Sequence, residues 1–507
     1  MGGDPLGVYP AAMNIYVFAL LVYSVVLMGL GLWTGSRVRS SQDFLVAGRS
    51  LGPGRVLATC LAANIGAGST VGAAGLGYRF GLSAWWWVGS AAVGTLLLSQ
   101  TIGPKLWAMA NEHGLSTLQD FLELRYGRAV KALIAVLLWA GSLALLAAQL
   151  MAIAWILSTV AGTPKWAGCV LGGVVAMVYC TAGGLLGSSF VNVFELGVTM
   201  SGLLLAVPFA LHALGGWSGL HRAVAAQSAS AASTAHLFSP IGAGAGRLLV
   251  WIAILVPSFL VSPGLVQKVY GARDVRAVRL GVGLNSLGQA VFAFVPAVLG
   301  LCALAALPHL ANPELALPSA MKLLLPRWLG VWTLASIFSA ELSATDAILF
   351  MLSTSLAVDL YKTFVDPRAS SDRMLAVSRR ISLCAGVLGI GLAVLLPSII
   401  AAVSIFYSLV AVSLLVPLVA GVYSRGVGST AAVTSILCAL GTTAASLRLS
   451  HGHGAGSVPP QAIGIGTAAL VMLVFRCVSP ADSGGQAAAA AFDRRRRGDA
   501  AALRDGH

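Results

Sequence analysis

Charged residues are scarce in this chain. Asp, Glu, Lys and Arg make up 9% of its 507 residues, whereas an ordinary soluble domain contains about 25%. Hydrophobic residues make up 58% of the chain. This balance excludes a soluble globular domain and predicts an all-α protein that crosses a membrane many times.

Cysteine pairs of the kind that bind zinc or form a disulfide framework are missing. The seven cysteines, all in or beside apolar segments, are Cys60, Cys169, Cys180, Cys302, Cys384, Cys438 and Cys477. None of them forms a CxxC pair or belongs to a cluster in a loop. We therefore expect no disulfide framework and no zinc site.

A cluster of catalytic residues is missing as well. The eight histidines, which fall in loops, segment ends or the tail, are His113, His212, His221, His236, His309, His451, His453 and His507. We therefore expect no membrane-embedded enzyme. A channel would need a continuous polar or charged pore lining, and the apolar segments show none.

A solute sensor built on a transporter-like domain is a further alternative. Such a sensor needs an output domain, and only about 30 residues follow the last apolar segment, fewer than an ordinary domain contains. We also expect no cleavable signal peptide, because the first apolar run, Met13 to Trp33, is long enough to span a bilayer and lacks a basic n-region. Transport is the remaining function.

Apolar segments that could cross a bilayer occur thirteen times. They cover residues 13–34, 53–78, 83–107, 129–160, 165–182, 187–212, 247–268, 278–308, 328–357, 380–397, 399–423, 428–447 and 462–477. Residues 1–477 are thus predicted to form the transmembrane domain. Residues 478–507 are predicted to be a disordered basic tail, and Arg494–Arg497 give it a weak attraction to anionic lipid.

Basic residues are distributed unevenly between the predicted connections. With the N-terminus outside and the C-terminus in the cytoplasm, 24 of the 31 Lys and Arg are cytoplasmic. The seven external ones are Arg79, Lys165, Arg222, Arg247, Lys322, Arg327 and Arg448. This asymmetry follows the positive-inside rule. The net charge of +14 is therefore a topology signal, and no nucleic-acid partner is expected.

The stretch from Ala58 to Gly81 is apolar but too rich in glycine for a regular helix throughout. Its six glycines are Gly66, Gly68, Gly72, Gly75, Gly77 and Gly81. Each glycine inside a helix costs about 1 kcal/mol relative to alanine. Broken segments of this kind form the ion and substrate sites of secondary transporters, where freed carbonyls bind a cation. A close-packed helix that uses small-residue contacts is the alternative.

Segment nine carries two acids far from its ends, Glu341 and Asp346. Acids inside a membrane are functional candidates because an Asp near the centre costs about 2.5–3.5 kcal/mol. A buried structural hydrogen bond is the alternative. Helical spacing puts Asp346 on one face with Ala340 and Ser343, whereas Glu341 faces elsewhere and is expected to serve a contact between helices.

Six motifs occur in order along the chain. They are Asp43–Gly52, Ala62–Gly81, Thr117–Gly127, Tyr179–Glu195, Gln267–Arg279 and Ser339–Lys362. With these motifs the chain resembles the sodium:solute symporters, the group that includes the sodium–glucose and sodium–proline transporters, over about residues 13 to 477.

The resemblance implies a LeuT-type fold of two inverted five-helix repeats, at 53–212 and 247–423. One extra helix at 13–34 precedes the repeats, and two at 428–477 follow them. It also implies symport by alternating access in the plasma or inner membrane. The expected partners are a small organic solute, a sodium ion as the coupling ion and the lipid bilayer, with no further cofactor and no obligate protein partner.

The resemblance also implies a sodium site. Its residues here are Ala62, Ile65, Ala340, Ser343 and Ala344. Carbonyls of the broken segment and the Ser343 hydroxyl would supply oxygen ligands.

The sequence departs from the family pattern at two positions. Relatives usually have a second hydroxyl where this chain has Ala344, and often an acid where it has Asn192. The missing hydroxyl weakens sodium binding, is replaced by Thr345 or Asp346, or indicates another coupling ion. Proton coupling through Asp346 or Glu341 is therefore the alternative.

The solute is expected to bind beside the broken segment. The candidate residues are Asn64, Gly66, Gly68, Ser69, Ser262, Gly264 and Phe406. Sugar-carrying relatives have a Glu–Gln pair at positions 68 and 69, which this chain lacks, so a sugar is not expected. Amides at a break near Ser262 could receive a carboxylate, and an organic acid or an amino acid is the preferred solute.

Replacing Asp346 with Asn distinguishes the two coupling ions. If Asp346 carries the transported proton, the variant loses uptake that depends on external pH, because an amide cannot carry a proton. Sodium coupling in which Asp346 is not a ligand predicts that uptake persists. Solute uptake measured at several external pH values tests this, and unchanged, pH-independent uptake excludes Asp346 as an obligatory proton carrier.

Overall fold

A computed structural model describes residues 15–35, 46–180, 184–227, 230–424, 427–450 and 458–478. Helices make up nearly all of these residues. They are α1 (Ile15–Gly35), α2 (Pro53–Asn64), α3 (Val71–Phe80), α4 (Trp85–Leu97), α5 (Gly103–His113), α6 (Leu118–Tyr126), α7 (Arg128–Ala161), α8 (Lys165–Cys180), α9 (Gly184–Ala213), α10 (Gly216–Gln227), α11 (Ala231–Phe238), α12 (Ala245–Leu260), α13 (Pro263–Gly271), α14 (Val275–Phe292), α15 (Phe294–Ala306), α16 (Ala316–Leu324), α17 (Arg327–Thr354), α18 (Ser371–Leu395), α19 (Ile399–Tyr423), α20 (Ser429–Leu449) and α21 (Pro460–Val478). Residues 479–507 of the predicted tail lie outside the described ranges.

Ten helices among the described residues are long and apolar enough to cross a membrane. Two shorter apolar helices, Ile15–Leu30 and Lys165–Met177, accompany them. Each of the thirteen predicted segments overlaps a helix or a broken pair of helices. The run Val71–His113 joins the second half of one predicted segment to the next. The count of thirteen membrane-spanning segments and the bounds of the two repeats remain predictions.

Two apolar helical segments are interrupted at the expected places. The first breaks between α2 and α3, and the second breaks at Val261 and Ser262, between α12 and α13. At the second break the Ser262 side chain accepts a hydrogen bond from the backbone N–H of Leu265, and Pro263 occupies the first turn. Ser262 therefore caps α13, and proline there needs no backbone donor.

A buried carboxyl group holds the connection after α15 in place. Glu314 Oε1 accepts the backbone N–H of Ile399 at 2.5 Å, and Glu314 Oε2 accepts Trp155 Nε1–H at 2.8 Å. Burial raises the pKa of Glu314 above its ordinary value, although both donors favour the charged form. This side chain therefore joins the connection to α7 and to the first turn of α19.

Helices α3 and α15 cross at very short range because glycines meet at the crossing. A Cβ built on Gly300 would lie 2.3 Å from the carbonyl oxygen of Ala74, and one on Gly77 would lie 2.8 Å from that of Ala297. Backbone atoms cannot move aside as the end of a flexible side chain can. The crossing of the two halves therefore requires glycine at both positions.

We expect Gly300→Ala to lower the free energy of unfolding by about 1–3 kcal/mol, the usual cost of overpacking a core. The measurement is thermal unfolding of the purified protein in detergent. Gly441→Ala in α20 is the matched control, because its Cβ would meet nothing within 4 Å. Equal midpoints for the two variants would contradict the tight crossing.

Candidate functional site

The break between α2 and α3 is held by hydrogen bonds that replace the helical ones. Ser69 Oγ accepts the backbone N–H of Gly66 at 3.0 Å, and Gln149 Oε1 accepts that of Ala67 at 2.8 Å. The N–H groups of Ser69 and Thr70 both donate to the carbonyl of Gly66 at 2.9 Å. Backbone groups freed from a helix in a membrane need such partners inside the protein.

Gly66 lies between α17 and α7, which both pack against the break. A Cβ at this position would be 2.6 Å from the Cβ of Ala344 and 2.7 Å from Gln149 Oε1. At Gly68 the nearest atom would be Val403 Cγ1, at 3.4 Å. Ala344, a predicted cation-site residue, therefore packs against the broken segment through its methyl group.

Four predicted cation-site residues line one small cavity between α2, α9 and α17, named the cation cavity below, which has no space open to the centre of a water molecule. They are Ala62 and Ile65 from the end of α2, and Ala340 and Ser343 from α17. Helix α9 adds Glu195, Leu196 and Thr199 to the same lining. Glu195 is fully buried, with an exposed fraction of 0%. The cavity therefore brings a carboxyl group and a hydroxyl group together with the end of a broken helix.

Helices α9 and α17 are aligned by hydroxyl groups along their contact. Ser343 Oγ donates to Asn192 Oδ1 at 3.2 Å, and Thr199 Oγ1 donates to the carbonyl of Ser336 at 3.2 Å. A Cβ on Gly202 would lie 2.0 Å from Ser336 Oγ, so the backbones approach closely there. Asn192, an ion-path candidate, is thus placed beside Ser343.

The other polar residues of α17 make contacts outside the cation cavity. Thr345 Oγ1 donates to the carbonyl of Glu341 at 2.6 Å, within its own helix. Asp346 is buried and interacts electrostatically with Lys268 of α13. The Thr70 hydroxyl lies 2.6 Å from Glu341 Oε1, which joins α17 to the break. Roles for Thr345 and Asp346 in the ion path stay predictions.

A second cavity lies on the other side of the broken segment. Four predicted solute residues, Asn64, Gly66, Gly68 and Ser69, line it. Gln149, Gln289 and Tyr407 supply its other polar groups, and Trp87, Val88, Leu255, Phe259, Ile348 and Val403 are among its apolar ones. Its lining includes no charged side chain among the described residues.

Three predicted solute residues are placed outside this cavity. Ser262 caps α13, and the carbonyl of Gly264 accepts Lys268 Nζ–H at 3.2 Å. Phe406 is buried, packs beside Gly141 and meets the ring of its neighbour Tyr407. Tyr407, one residue later in α19, faces the cavity instead.

Sequence reasoning missed Glu195 and Gln149. Glu195 follows Asn192 by three residues and precedes Thr199 by four, so these three positions share one helical face. That spacing could have been read from the sequence. Gln149 is a single amide in the apolar segment 129–160, and its contact with the break depends on tertiary packing.

The profile of the sodium:solute symporter family matches residues 44–439. This chain belongs to that family. Its members are transporters, and the chain is a multi-pass integral membrane protein.

Relatives and solved structures agree with this assignment. The symporter is 24% identical to a sodium/glucose cotransporter of Vibrio parahaemolyticus, over 72% of each chain. It is 28% identical to a sodium/pantothenate symporter of Escherichia coli, over 73% of this chain and 78% of the relative. A Na+-coupled sialic acid symporter, solved in a substrate-bound outward-open state, matches its fold with a TM-score of 0.76 and 16% identity, over 92% of this chain and 99% of that one. The predicted LeuT-type fold is confirmed.

Two glycines of the break offer a matched pair of substitutions. We expect Gly66→Ala to lower sodium affinity at least about tenfold or to prevent folding, because the new methyl group displaces Ala344 or Gln149. Gly68→Ala creates only an ordinary contact and should keep both folding and binding. Thermal unfolding and binding of radioactive sodium measure the two effects. Equal behaviour of the variants would contradict the geometry of the break.

Proposed function

We propose that this protein is a sodium-coupled symporter of a small organic solute that works by alternating access. One observation carries the proposal. Ala62 and Ile65 line the cation cavity, whereas Asn64 and Gly66, their neighbours in the chain, line the solute cavity. An ion that fixes the end of α2 therefore also fixes the groups that meet the solute. Coupling between the two ligands requires such a shared element.

Glu195 supports sodium as the coupling ion although Ala344 lacks a hydroxyl. Its carboxyl group belongs to the lining that also includes Ser343 and the end of α2. Hard cations prefer oxygen ligands, and a carboxylate supplies both oxygen and charge. We assign Glu195 as the charged group of the cation site, with Ser343 as the hydroxyl ligand.

The size of the solute cavity favours a small solute. About 50 Å³ is open to the centre of a water molecule. One bound water needs about 10–15 Å³ by this measure, so the space corresponds to about three to five waters. A short organic acid or a small amino acid fits this size.

The lining of the solute cavity agrees with an organic acid or an amino acid. Its amide and hydroxyl groups can hydrogen-bond a carboxylate without a neutralising side chain. Helix α3 begins at Val71, just after Ser69 of the lining, and the start of a helix favours negative charge.

The orientation and the domain bounds complete the proposal. We place the N-terminus outside and the C-terminus in the cytoplasm, because 24 of the 31 basic residues are then cytoplasmic. The repeats would cover residues 53–212 and 247–423, and their broken helices α2–α3 and α12–α13 would act as hinges.

Sodium binding to the purified protein tests the cation site. We expect Ser343→Ala and Glu195→Gln each to lower the affinity for radioactive sodium at least about tenfold, or about 1.4 kcal/mol. Ser353→Ala is the matched control, because its buried hydroxyl bonds to the carbonyl of Phe350 on the same helix, outside the cation cavity. Sodium affinity unchanged in Glu195→Gln would remove Glu195 from the site, and no saturable binding in wild type would remove sodium coupling.

Uptake into proteoliposomes tests the solute class. A panel of short carboxylates, small amino acids and hexoses is offered with and without an inward sodium gradient. We expect gradient-dependent uptake of a carboxylate-bearing solute of about three to five heavy atoms, in keeping with the cavity size. Uptake of a hexose, or uptake that is independent of the sodium gradient, would contradict the proposal.

A further inference from the structure

A third polar cavity lies beyond the two described above, between α6, α13 and the helical segment that continues α17. Its polar lining consists of Thr117, Gln119, Gln267, Thr354, Ser355 and Asp359. Pro263, the first residue of α13, also contacts it. The cavity therefore touches the second broken segment just after the break, away from the residues assigned to sodium and solute.

Three oxygen atoms in this lining have no hydrogen-bond partner outside their own group among the described residues, and within the group the Ser355 side chain interacts with the Asp359 carboxyl. They are Thr354 Oγ1, Ser355 Oγ and Asp359 Oδ2. The exposed fractions of these residues are 2%, 5% and 0%. Buried polar atoms are hydrogen-bonded in the great majority of cases, so three together in one cavity need an explanation. A bound ligand with positive charge or donor groups would provide it.

The other oxygen of Asp359 is already engaged. Asp359 Oδ1 accepts Thr117 Oγ1–H at 2.7 Å and lies 3.8 Å from Lys131 Nζ. The carboxyl group is thereby fixed with Oδ2 as its remaining acceptor. Ser355 lies four residues earlier on the same helical segment, and both side chains line the cavity.

The three carboxyl groups around this cavity, those of Asp120, Glu123 and Asp359, outnumber the two cations paired with them, Lys131 and Arg128, whose Nε lies 3.8 Å from Glu123 Oε1. Lys131 Nζ lies 2.8 Å from Asp120 Oδ1 and 3.0 Å from Glu123 Oε2, both closer than Asp359. Burial alone would raise the pKa of Asp120, but Lys131 holds it below its ordinary value. The lysine is thus mainly engaged with Asp120 and Glu123. A carboxylate buried as fully as Asp359 favours a second cation nearby.

The backbone at the cavity also departs from the α-helix. Residues Ser355–Val365 form a π-helix, in which the N–H of Asp366 reaches the carbonyl of Tyr361 five residues earlier. The change of hydrogen-bond pattern begins at Ser355, beside the three oxygens. Such π-helical turns occur frequently at functional sites, because they redirect carbonyl groups and side chains.

The size of the cavity selects a single small occupant. About 10 Å³ is open to the centre of a water molecule, close to the space that one bound water needs. A monovalent ion fits that space and an organic molecule does not. We propose that this cavity binds a second sodium ion, held by Asp359 Oδ2 and the hydroxyl groups of Ser355 and Thr354.

An ion at this place would join three parts of the chain. Asp359 and Ser355 continue α17, Thr117 precedes α6, and Pro263 and Gln267 belong to α13. The ion would stabilise the conformation in which the second broken segment packs against α6 and α17. The inference does not rest on the proposed symport, because it concerns a different cavity and a different set of ligands.

The test is the number of radioactive sodium ions bound by the purified full-length protein at equilibrium. We expect two equivalents in wild type and one in Asp359→Asn, which keeps the size of the side chain and removes its charge. Ser355→Ala should lower the affinity of one equivalent at least about tenfold, or about 1.4 kcal/mol. Ser353→Ala is the matched control, because its buried hydroxyl bonds to the carbonyl of Phe350 on the same helix.

The outcomes separate this site from the first cation site. The remaining equivalent in Asp359→Asn should still be weakened by Ser343→Ala, which also shows that the variant is folded. If Asp359→Asn does not fold, Ser355→Ala against Ser353→Ala decides. A single equivalent in wild type that depends on Ser343 and not on Ser355 would overturn the second site and leave the proposed symport intact. A single equivalent that depends on Asp359 and not on Ser343 would support the second site and remove the first.

Discussion

The structure depends on how the backbone groups freed between α2 and α3 are satisfied. Inside a membrane no solvent can receive them, so the protein must provide every partner. Ser69 and Gln149 do so from within the break and from α7. These bonds fix the break in one conformation and leave the cation cavity on one side of it and the solute cavity on the other. The positions of both cavities therefore follow from these hydrogen bonds.

Small residues allow the helices to come close enough for these bonds to form. The missing side chain of Gly66 leaves room for Ala344 and Gln149 at the break. In the same way Gly202 leaves room for Ser336 beside α9, and Gly300 for the backbone of α3. In lipid the hydrophobic effect does not drive helices together, so close backbone contact and hydrogen bonds must do so. The departure from the family pattern at position 344 has a physical counterpart here, since the methyl group of Ala344 packs directly against the break.

Composition predicted the membrane-spanning helices and the glycine-rich break, because long apolar runs and glycine clusters are local features of a sequence, whereas the LeuT-type arrangement of the helices came from the family resemblance. Family resemblance added the positions of Ala62, Ile65, Ala340 and Ser343, which the structure brings into one cavity. Glu195 was detectable from its helical spacing with Asn192 and Thr199, whereas Gln149 was missed because its contact with the break comes from packing between helices distant in sequence. Phe406 and Tyr407 show the limit of such reasoning, since one residue of difference in α19 decides which ring faces the solute cavity.

The carboxyl group of Glu314 connects three parts of the chain. One carboxyl group accepts donors from α7 and from the first turn of α19, and Gly75 of α3 packs against the carbonyl of the preceding Pro313. Displacing α7 or α19 alone leaves a carboxyl oxygen of Glu314 without its donor and a buried N–H without its acceptor, which costs free energy. These three parts therefore favour moving together, because separating one of them from Glu314 breaks a buried hydrogen bond.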